Sequence, residues 1–573
     1  MWGAFENWTS CERQFNTNRH QLFSGQGAAR ASPRLHPVQS CLGREAREPP
    51  PRAIIRAVFN TAFKPLIVAA LLLTSSLLIA GQAQGDSFTV AFQGGATNLD
   101  PISRLETLSI NWQQYLFDTV TKLGARGEVR ASIAQAWKND SINQWTFVIR
   151  RDVKFHDGTP LTAKDVAFSI TRAQTDPKSQ FKSTITAVKT AIASSAYTLT
   201  VTTERPDPLL PSHLGGIAVV SEQNVKSSPD WAQKPIGSGP YVFKSWLAQD
   251  NLTLEANGAY WGGAPAIKRV KLLNIPNSSA RLAALLSNQV QLAEKINPQD
   301  VSKLEATTGY GVSSAPSTRV IYLALDYRKT GSSGVGTDTP NPFANLKVRE
   351  AVARAIDKNA IVKTVMGGLA TPATQFVAPF VTGYDRLLKP LSYNLESAKK
   401  LMVDAGYPNG FNLRLDATND RYLNDALIAQ AVAGMLERIG IKTRVNAVSR
   451  TVLFPQLDKG DFSAFIGGWG STDLGSTLIS QVMCKNPKEG WGSVNRVGYC
   501  NSDVDKLILQ ANSSFSPAER KKLFSAAMRQ ALLKDYLWIP LHLENVIHGF
   551  NSRDFAYKAR GDEYIYTWEI APR

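Results

Sequence analysis

The clearest pattern of apolar and polar positions lies in residues 145–172, WTFVIRRDVKFHDGTPLTAKDVAFSITR. Aromatic and branched residues alternate through 145–149, which predicts a half-buried strand. Residues 157–158 are Asp-Gly, a turn pair. Thr162 then stands three positions before Asp165, an acidic variant of the capping box that marks a helix start, and apolar residues follow at helical spacing. The stretch therefore predicts one strand, turn and helix unit.

The same criteria predict further elements along the chain. Strands are predicted at 87–93, 197–203, 241–243, 322–327, 411–416, 442–447 and 462–466, and helices at 110–123, 281–286, 346–357 and 424–439. In the second half of the chain the helices alternate with the strands, which predicts an α/β fold.

An apolar run at residues 65–80 follows basic residues and precedes a group of small ones. It is too short to cross a membrane comfortably and fits a secretory signal, with a buried core helix as the alternative. Cleavage is predicted after Ala83, or failing that after Gly85. No Cys stands directly after the run, so a lipid anchor is not predicted.

Some fifty residues precede the predicted signal region, although a signal peptide normally begins close to its apolar run. Translation is therefore predicted to start at Val58. On this hypothesis residues 1–57 are not translated or are removed, and residues 58–83 form the signal peptide.

With 573 residues, the chain exceeds what one hydrophobic core usually serves, which predicts at least two lobes. Its formal net charge of +17 is compatible with nucleic acid or an anionic membrane surface as a partner. However, basic and acidic residues are interleaved, the longest basic cluster is 520–522, and no nucleic-acid motif occurs. A nucleic-acid partner is therefore not predicted.

Motifs of covalent chemistry are missing from the sequence. It contains no G-x-S-x-G elbow, no H-E-x-x-H helix and no P-loop. After residue 83 the histidines are His156, His213, His542 and His548, and none has the helical spacing of metal ligands. We expect no catalytic residue, metal or cofactor, and keep a secreted hydrolase as the alternative class.

Residues 147–166 also match a family signature. The pattern F-x-L-R-x-x-V-K-F-H-D-G-x-P-x-x-A-x-D-V occurs as Phe147, Ile149, Arg150, Val153, Lys154, Phe155, His156, Asp157, Gly158, Pro160, Ala163, Asp165 and Val166, with Ile149 in place of Leu. It resembles the signature of the family 5 extracellular solute-binding proteins, the peptide-binding and nickel-binding type that serve ABC importers. Further matching blocks are 236–243, 275–294, 341–357 and 436–445.

This resemblance covers roughly residue 88 to the C-terminus and implies a two-lobed α/β fold, the type II periplasmic-binding-protein fold with an extra subdomain. The expected boundaries are 86–124 for lobe I, 125–215 for its extra subdomain, 216–330 for lobe I again, 331–538 for lobe II and 539–573 for the return to lobe I. It also implies a monomeric periplasmic protein that closes on a solute by a hinge and delivers it to an inner-membrane ABC permease.

A Gly-rich stretch at 467–476 is the first candidate for the ligand site and is predicted to be a loop that includes Trp469, Gly470, Ser471, Thr472 and Asp473. In peptide-binding relatives the comparable loop resembles W-x-x-D-x-x-D-P, whose Asp meets the α-ammonium group of the peptide. Here Thr472 holds that position and Asp473 follows it. Either Asp473 acts from the shifted position or the ligand lacks a free amine; Trp469 could also be a packing residue.

Residues 418–424 form the second candidate, in which Arg421 can pair with a ligand carboxylate and Tyr422 can supply an aromatic wall. A solvated loop charge is the equal alternative for Arg421. If Arg421 and Asp473 both bind ligand charges, the ligand is a zwitterionic peptide or a peptide-like conjugate. A metal chelate, an opine or a sugar remains the alternative within the family.

Cys484 and Cys500 stand sixteen positions apart. In an exported protein such a pair more often forms a disulfide than a metal site. A disulfide between them is therefore predicted.

Overall fold

The computed structural model describes residues 87–103, 106–330, 340–389 and 391–573. The predicted translation start and signal peptide lie outside these residues. Within the described part of the chain, no helix is long and apolar enough to cross a membrane.

The strands are β1 Ser87–Phe92, β2 Lys122–Leu123, β3 Val129–Arg130, β4 Ala134–Ser141, β5 Gln144–Ile149, β6 Val188–Ser195, β7 Thr198–Thr203, β8 Tyr241–Leu247, β9 Asn251–Ala256, β10 Arg269–Asn274, β11 Leu292–Ala293, β12 Tyr310–Leu325, β13 Ala370–Pro372, β14 Phe411–Thr418, β15 Ile441–Val448, β16 Ala464–Gly470 and β17 Trp538–Asn551.

The α-helices are α1 Thr107–Gln113, α2 Ala163–Thr175, α3 Leu210–His213, α4 Glu222–Ser227, α5 Ser278–Leu286, α6 Val301–Glu305, α7 Leu346–Ala355, α8 Lys358–Ala360, α9 Leu395–Asp404, α10 Asp425–Glu437, α11 Arg450–Asp458, α12 Leu474–Gln481, α13 Ser502–Ser513 and α14 Pro517–Met528. Short 3-10 or π turns lie at Lys182–Thr184, Leu214–Gly216, Pro298–Asp300, Pro342–Ala344, Ile361–Val365, Arg529–Lys534 and Thr567–Glu569.

A mixed sheet runs through the molecule in the order β15-β14-β16-β12-β17-β11-β1-β10-β9-β8, with β13 beside β17. β1 is parallel to β10 and β11, and β14 is parallel to β15 and β16, whereas β12 and β17 are antiparallel to their neighbours. The helix α10 packs beside β14 and β15, as the alternating pattern of this half predicts.

Two long antiparallel strands, β12 and β17, join the two ends of this sheet. Their register is continuous from Tyr310 to Pro316 and shifts between Pro316 and Val320 and again between Ile321 and Tyr322. Such an irregularity bends a strand and increases its twist locally. The N-terminal half of β12 therefore pairs beside the first part of the sheet, and its C-terminal half beside β16.

A separate four-stranded sheet, β4-β5-β7-β6, contains the strand of the 145–172 unit. Phe147 and Ile149 on β5 are fully buried together with Val166 and Ile170 on α2. Burying side chains of this size contributes about 1.5–3 kcal/mol each. Thr162 and Asp165 form the predicted capping box: each side chain accepts a hydrogen bond from the backbone amide of the other residue. The strand, turn and helix prediction is confirmed.

The predicted helix at 110–123 is wrong in both bounds, because α1 begins at Thr107 and ends at Gln113. Beyond that point the backbone bonds to distant segments: the amides of Gly239 and Tyr241 donate to Leu116 and Tyr115, at 2.9 and 3.0 Å. A Cβ on Gly239 would lie 2.6 Å from the Leu116 carbonyl carbon, so this close approach requires glycine. Long-range pairing replaces the helix that periodicity predicts.

The predicted loop at 467–476 is wrong for most of its length. Gly467 to Gly470 complete β16, and α12 begins at Leu474. The glycines of this stretch have a packing reason: a Cβ on Gly468 would lie 2.6 Å from the Tyr422 ring, and one on Gly467 would lie 2.7 Å from the Tyr322 ring. Pairing with β12 keeps the glycine-rich stretch in a strand.

Cys484 and Cys500 lie with their sulfur atoms at bonding distance, 2.09 Å apart. The pair closes the segment that follows α12. This segment includes Trp491 and Lys485, which line the cavity described next.

Candidate ligand-binding site

A cavity of about 940 Å³ lies where the end of β16, the connection after β14, helices α1 and α3 and the C-terminal segment meet. Its volume is within the usual range for small-molecule and cofactor sites. All seven residues predicted for the ligand site line it: Trp469, Gly470, Ser471, Thr472, Asp473, Arg421 and Tyr422. The sequence-based candidates therefore meet in one place.

The connection that carries Arg421 is fixed by its own hydrogen bonds. The Asp425 carboxylate accepts from the backbone amides of Arg421 and Tyr422, at 3.0 and 3.2 Å, and from the Thr418 hydroxyl at 2.7 Å. Asn424 adopts a left-handed conformation with φ 56°, which asparagine tolerates better than most residues. These contacts hold a tight turn between β14 and α10 and present residue 421 to the cavity.

The Arg421 carbonyl is bound by residues from another part of the sheet. It accepts hydrogen bonds from Gln93 Nε2 at 2.6 Å and from Lys295 Nζ at 3.1 Å. Gln93 follows β1 directly, and Lys295 follows β11. Contacts between distant parts of the sheet therefore converge on this one peptide group.

The Arg421 guanidinium has an unsatisfied donor. Its side chain is 5% exposed, and Nη1 forms no hydrogen bond within the described part of the chain. Glu106 Oε1 lies 4.0 Å from Arg421 Nε but is bound more closely by Arg450 Nη1 at 2.6 Å. The ring of Tyr422 lies beside the guanidinium, 5.3 Å from Cζ to the ring centre. A buried donor without a partner costs about 1–3 kcal/mol, so a ligand acceptor at this position would be stabilising.

The Asp473 carboxylate, by contrast, is occupied. It caps α12 by accepting from the amides of Gly475 at 3.1 Å and Ser476 at 2.8 Å. Its Oδ2 also lies 3.5 Å from Nε2 of His213, an ion-pair distance rather than a good hydrogen bond. The binding of a ligand ammonium group by Asp473 remains a prediction, and His213 is a competing cation for the same carboxylate.

His213 lies between two carboxylates, because its Nδ1 is 2.9 Å from Asp207 Oδ2. Burial acts to lower the pKa of His213, but the charges of Asp207 and Asp473 outweigh it and raise the pKa to about 10. Burial likewise acts to raise the pKa of Asp473, and the interaction with His213 outweighs it and lowers the pKa to about 2. The histidine is therefore an imidazolium at neutral pH.

The other predicted residues contribute shape. Trp469 is half-buried and donates from Nε1 to the Thr477 hydroxyl at 3.3 Å. Ser471 holds the short connection to α12 through bonds with the backbone of Asp473. Thr472 packs against Gly127, where a Cβ would lie 2.4 Å from the Thr472 carbonyl oxygen. The Tyr422 hydroxyl donates to the Gly468 carbonyl at 3.2 Å.

Two groups of lining residues were missed by sequence reasoning. One is the Asp207–His213 pair, whose significance depends on a partner far away in the sequence. The other is a wall formed by Tyr566 and Trp568, whose rings stack with centres 4.4 Å apart, together with Lys122 over the Tyr566 ring at 4.9 Å. The aromatic spacing at 564–568 was the available signal, but alternating aromatic residues are equally typical of a strand.

No group of three or more His, Cys, Asp or Glu residues that could hold a metal ion occurs within residues 87–573 where the structure describes them.

Comparison with known proteins identifies the family and the relatives that this chain resembles. Residues 128–485 match the model of the bacterial extracellular solute-binding proteins, family 5 Middle. The glutathione-binding protein GsiB of Escherichia coli K12 is 27% identical over 518 residues, which cover 87% of this chain and 96% of that protein.

Solved structures resemble the fold at lower identity. The Helicobacter pylori periplasmic binding protein DppA, in complex with the peptide STSA, matches with a TM-score of 0.76 and 23% identity, over 85% of this chain and 98% of that one. Staphylococcus aureus NikA, in complex with Ni(L-His)2, matches with a TM-score of 0.74 and 20% identity, over 85% and 100%. The predicted two-lobed type II α/β fold is confirmed. The chain belongs to family 5 of the bacterial extracellular solute-binding proteins, the binding components of ABC importers.

Proposed function

We propose that the chain is the periplasmic binding component of an ABC importer for a peptide or peptide-like solute that carries a carboxylate, and that it performs no covalent chemistry. The observation that carries the ligand class is the buried Arg421 Nη1, which lines the cavity without a hydrogen-bond partner in the described chain. A guanidinium fork binds a planar carboxylate with two parallel hydrogen bonds. Peptide and glutathione binding by related proteins supports the same class.

Closure of the two lobes is the proposed mechanism of capture. With the lobe boundaries as predicted, the bonds from Gln93 and Lys295 to the Arg421 carbonyl join lobe I to lobe II, and so does the His213–Asp473 pair. The register shift between Pro316 and Val320 is the proposed hinge. A solute favours closure only through its greater affinity for the closed state, and burying its carboxylate against Arg421 supplies that difference.

The delivery step requires no reaction at the cavity. We propose that the closed surface docks on an inner-membrane permease and that the protein acts as a monomer. Export through a signal peptide cleaved after Ala83 fits a disulfide between Cys484 and Cys500, which would contribute on the order of 3 kcal/mol. Alkylation of the denatured, unreduced mature protein is expected to find no free thiol, and two alkylated cysteines would contradict the disulfide.

Calorimetric titration with short peptides tests the function. Wild-type protein, freed of bound solute by reversible denaturation, is expected to bind peptides with a free C-terminal carboxylate. The same peptides with a C-terminal amide should bind about 30-fold or more weakly, because the amide cannot accept the bidentate bond. Equal affinity for acid and amide, or no affinity for any peptide, would contradict the proposal.

A further inference from the structure

The charged groups that line the cavity fall into two sets, one matched within the protein and one not. Within the described chain, each lining carboxylate already has donors of its own. Besides Asp473, these are Glu106 with Arg450 at 2.6 Å, Asp458 with Arg496 at 2.8 Å, Asp562 with Arg560 at 2.7 Å, and Asp118 with Ser238, Tyr260 and Trp261 at 2.9 to 3.0 Å. No carboxylate is left over for a ligand cation.

Within the described chain, four lining lysine and arginine side chains lack a close acid partner: Lys182 and Lys485 are exposed to solvent, whereas Lys122 is half-buried and Arg421 is buried. Arg421 Nη1 has no acceptor in the described part of the chain. The ammonium group of Lys122 forms no hydrogen bond or ion pair with any residue of the described chain, and it lies over the rings of Tyr566 and Trp568, at 4.9 and 5.7 Å from the ring centres. Lys122 and both rings line the same cavity as Arg421.

The surroundings of Lys122 explain why it needs an anion. Burial lowers the pKa of Lys122; the charges of Asp118, Glu569 and Asp562 oppose that shift, none of them within ion-pair distance of the ammonium in the described chain. The Asp118 oxygens are already taken by three neutral donors, so this carboxylate acts on Lys122 only at longer range. A charge removed from water is stabilised when it gains an opposite charge at hydrogen-bond distance. The rings of Tyr566 and Trp568 contact the ammonium through cation–π interactions, which supply no counter-charge.

We propose that Lys122, with the wall of Tyr566 and Trp568, is a second anion-binding site in the cavity. The ligand is then an acidic peptide-like solute, with one anionic group at Arg421 and another at Lys122. This inference rests on the proposed function and narrows it. A solute with a buried ammonium group fits this cavity less well, because its charge would have no unmatched partner.

Equilibrium dialysis against two matched peptide pools tests the proposal. One pool contains N-acetylated tripeptides with Glu or Asp at one position, and the other has Gln or Asn at the same position, so that both keep the C-terminal carboxylate. Retained peptides are identified by mass spectrometry. We expect wild-type protein to prefer the acidic pool by about 30-fold or more, the size expected for one charge-assisted contact in a closed site.

Three variants distinguish binding at Lys122 from a general effect of the protein's positive charge. Lys122→Gln should abolish the preference and Lys122→Arg should retain most of it. Lys522→Gln removes an equal charge at a side chain that is 79% exposed outside the cavity, and it should leave the preference unchanged. Melting temperatures of all three show whether each variant is folded.

The outcomes separate the inference from the function on which it rests. Equal retention of both pools by wild-type protein would overturn the second anion site while leaving peptide binding intact. An acidic preference that survives Lys122→Gln undiminished would overturn the assignment to this residue. Retention of neither pool would contradict the proposed function itself, and the inference with it.

Discussion

Arg421 and Asp473 line the same cavity, but their charged groups differ in the partners they have within the protein. The Asp473 carboxylate caps α12 and faces the imidazolium of His213, whereas one buried guanidinium nitrogen of Arg421 has no acceptor among the residues that the structure describes. The sequence made both residues candidates for binding a ligand charge. The comparison indicates that a charge matched inside the protein contributes to the fold, and that a charge left unmatched is available for the solute.

The largest expected effect follows from replacing Arg421. Arg421→Gln should weaken binding of a carboxylate peptide by about 2–5 kcal/mol, because the ligand charge loses its buried partner. The free energy of unfolding should stay the same or rise, since an unsatisfied buried donor is removed. Calorimetry and urea unfolding measure the two quantities on the same preparation.

Asp473→Asn is the matched control for that substitution, because asparagine caps a helix about as well as aspartate. We expect its ligand affinity to change less than tenfold. Its unfolding free energy should fall, because the imidazolium of His213 loses one of its two carboxylate partners. A loss of more than tenfold would instead support the sequence-based prediction that Asp473 binds a ligand ammonium group, and the comparison between the two residues would then fail.

His213→Gln should destabilise the protein by about 3 kcal/mol near pH 6, because Asp207 and Asp473 would face each other without a cation. The effect should depend on pH. The pKa of His213 is raised to about 10, so its contribution is fully present below about 6.5 and is lost as the pH rises through 10. The pKa of Asp473 is lowered to about 2, so its contribution is lost only as the pH falls through that value.

Urea unfolding of both proteins at pH 6 and pH 10 measures this dependence. The difference between wild type and His213→Gln should be largest at pH 6 and shrink towards pH 10. The exposed pair of Lys226 and Glu222, broken by Lys226→Gln, is the control and should change stability by less than about 1 kcal/mol. A difference that does not change between pH 6 and pH 10 would show that His213 is not held as a cation.

Sequence patterns predicted correctly the elements whose signals all lie within one short stretch of the chain. The strand, turn and helix at 145–172 has its periodicity, its turn and its cap within one short stretch, and all three were read correctly. β12 was predicted only at 322–327 because its N-terminal half contains Pro316 and several small polar residues. That half is a strand through its pairing with β17, which no local pattern reveals.

The ligand site divides in the same way, into features that residue types indicate and features that depend on contacts between distant segments. Residue types and the family pattern brought Trp469, Asp473 and Arg421 forward, and all of them line the cavity. Whether each charge has a partner within the protein could not be predicted. The partner of Asp473 lies on α3, and the acid that lies 4.0 Å from the Arg421 guanidinium stands just before α1. Lys122 carried no sequence signal, since its environment is created by rings near the C-terminus.

The solute that the protein carries when it is isolated tests the central claim most directly. Mature protein purified from the periplasm without refolding should be analysed intact by native mass spectrometry, and the solute released by denaturation should be identified by mass and by electrophoretic mobility at pH 7. The charge arrangement of the cavity predicts a peptide-like solute with a net negative charge and at least two anionic groups. A neutral or cationic solute, bound with equal affinity by wild type and Arg421→Gln, would contradict the account.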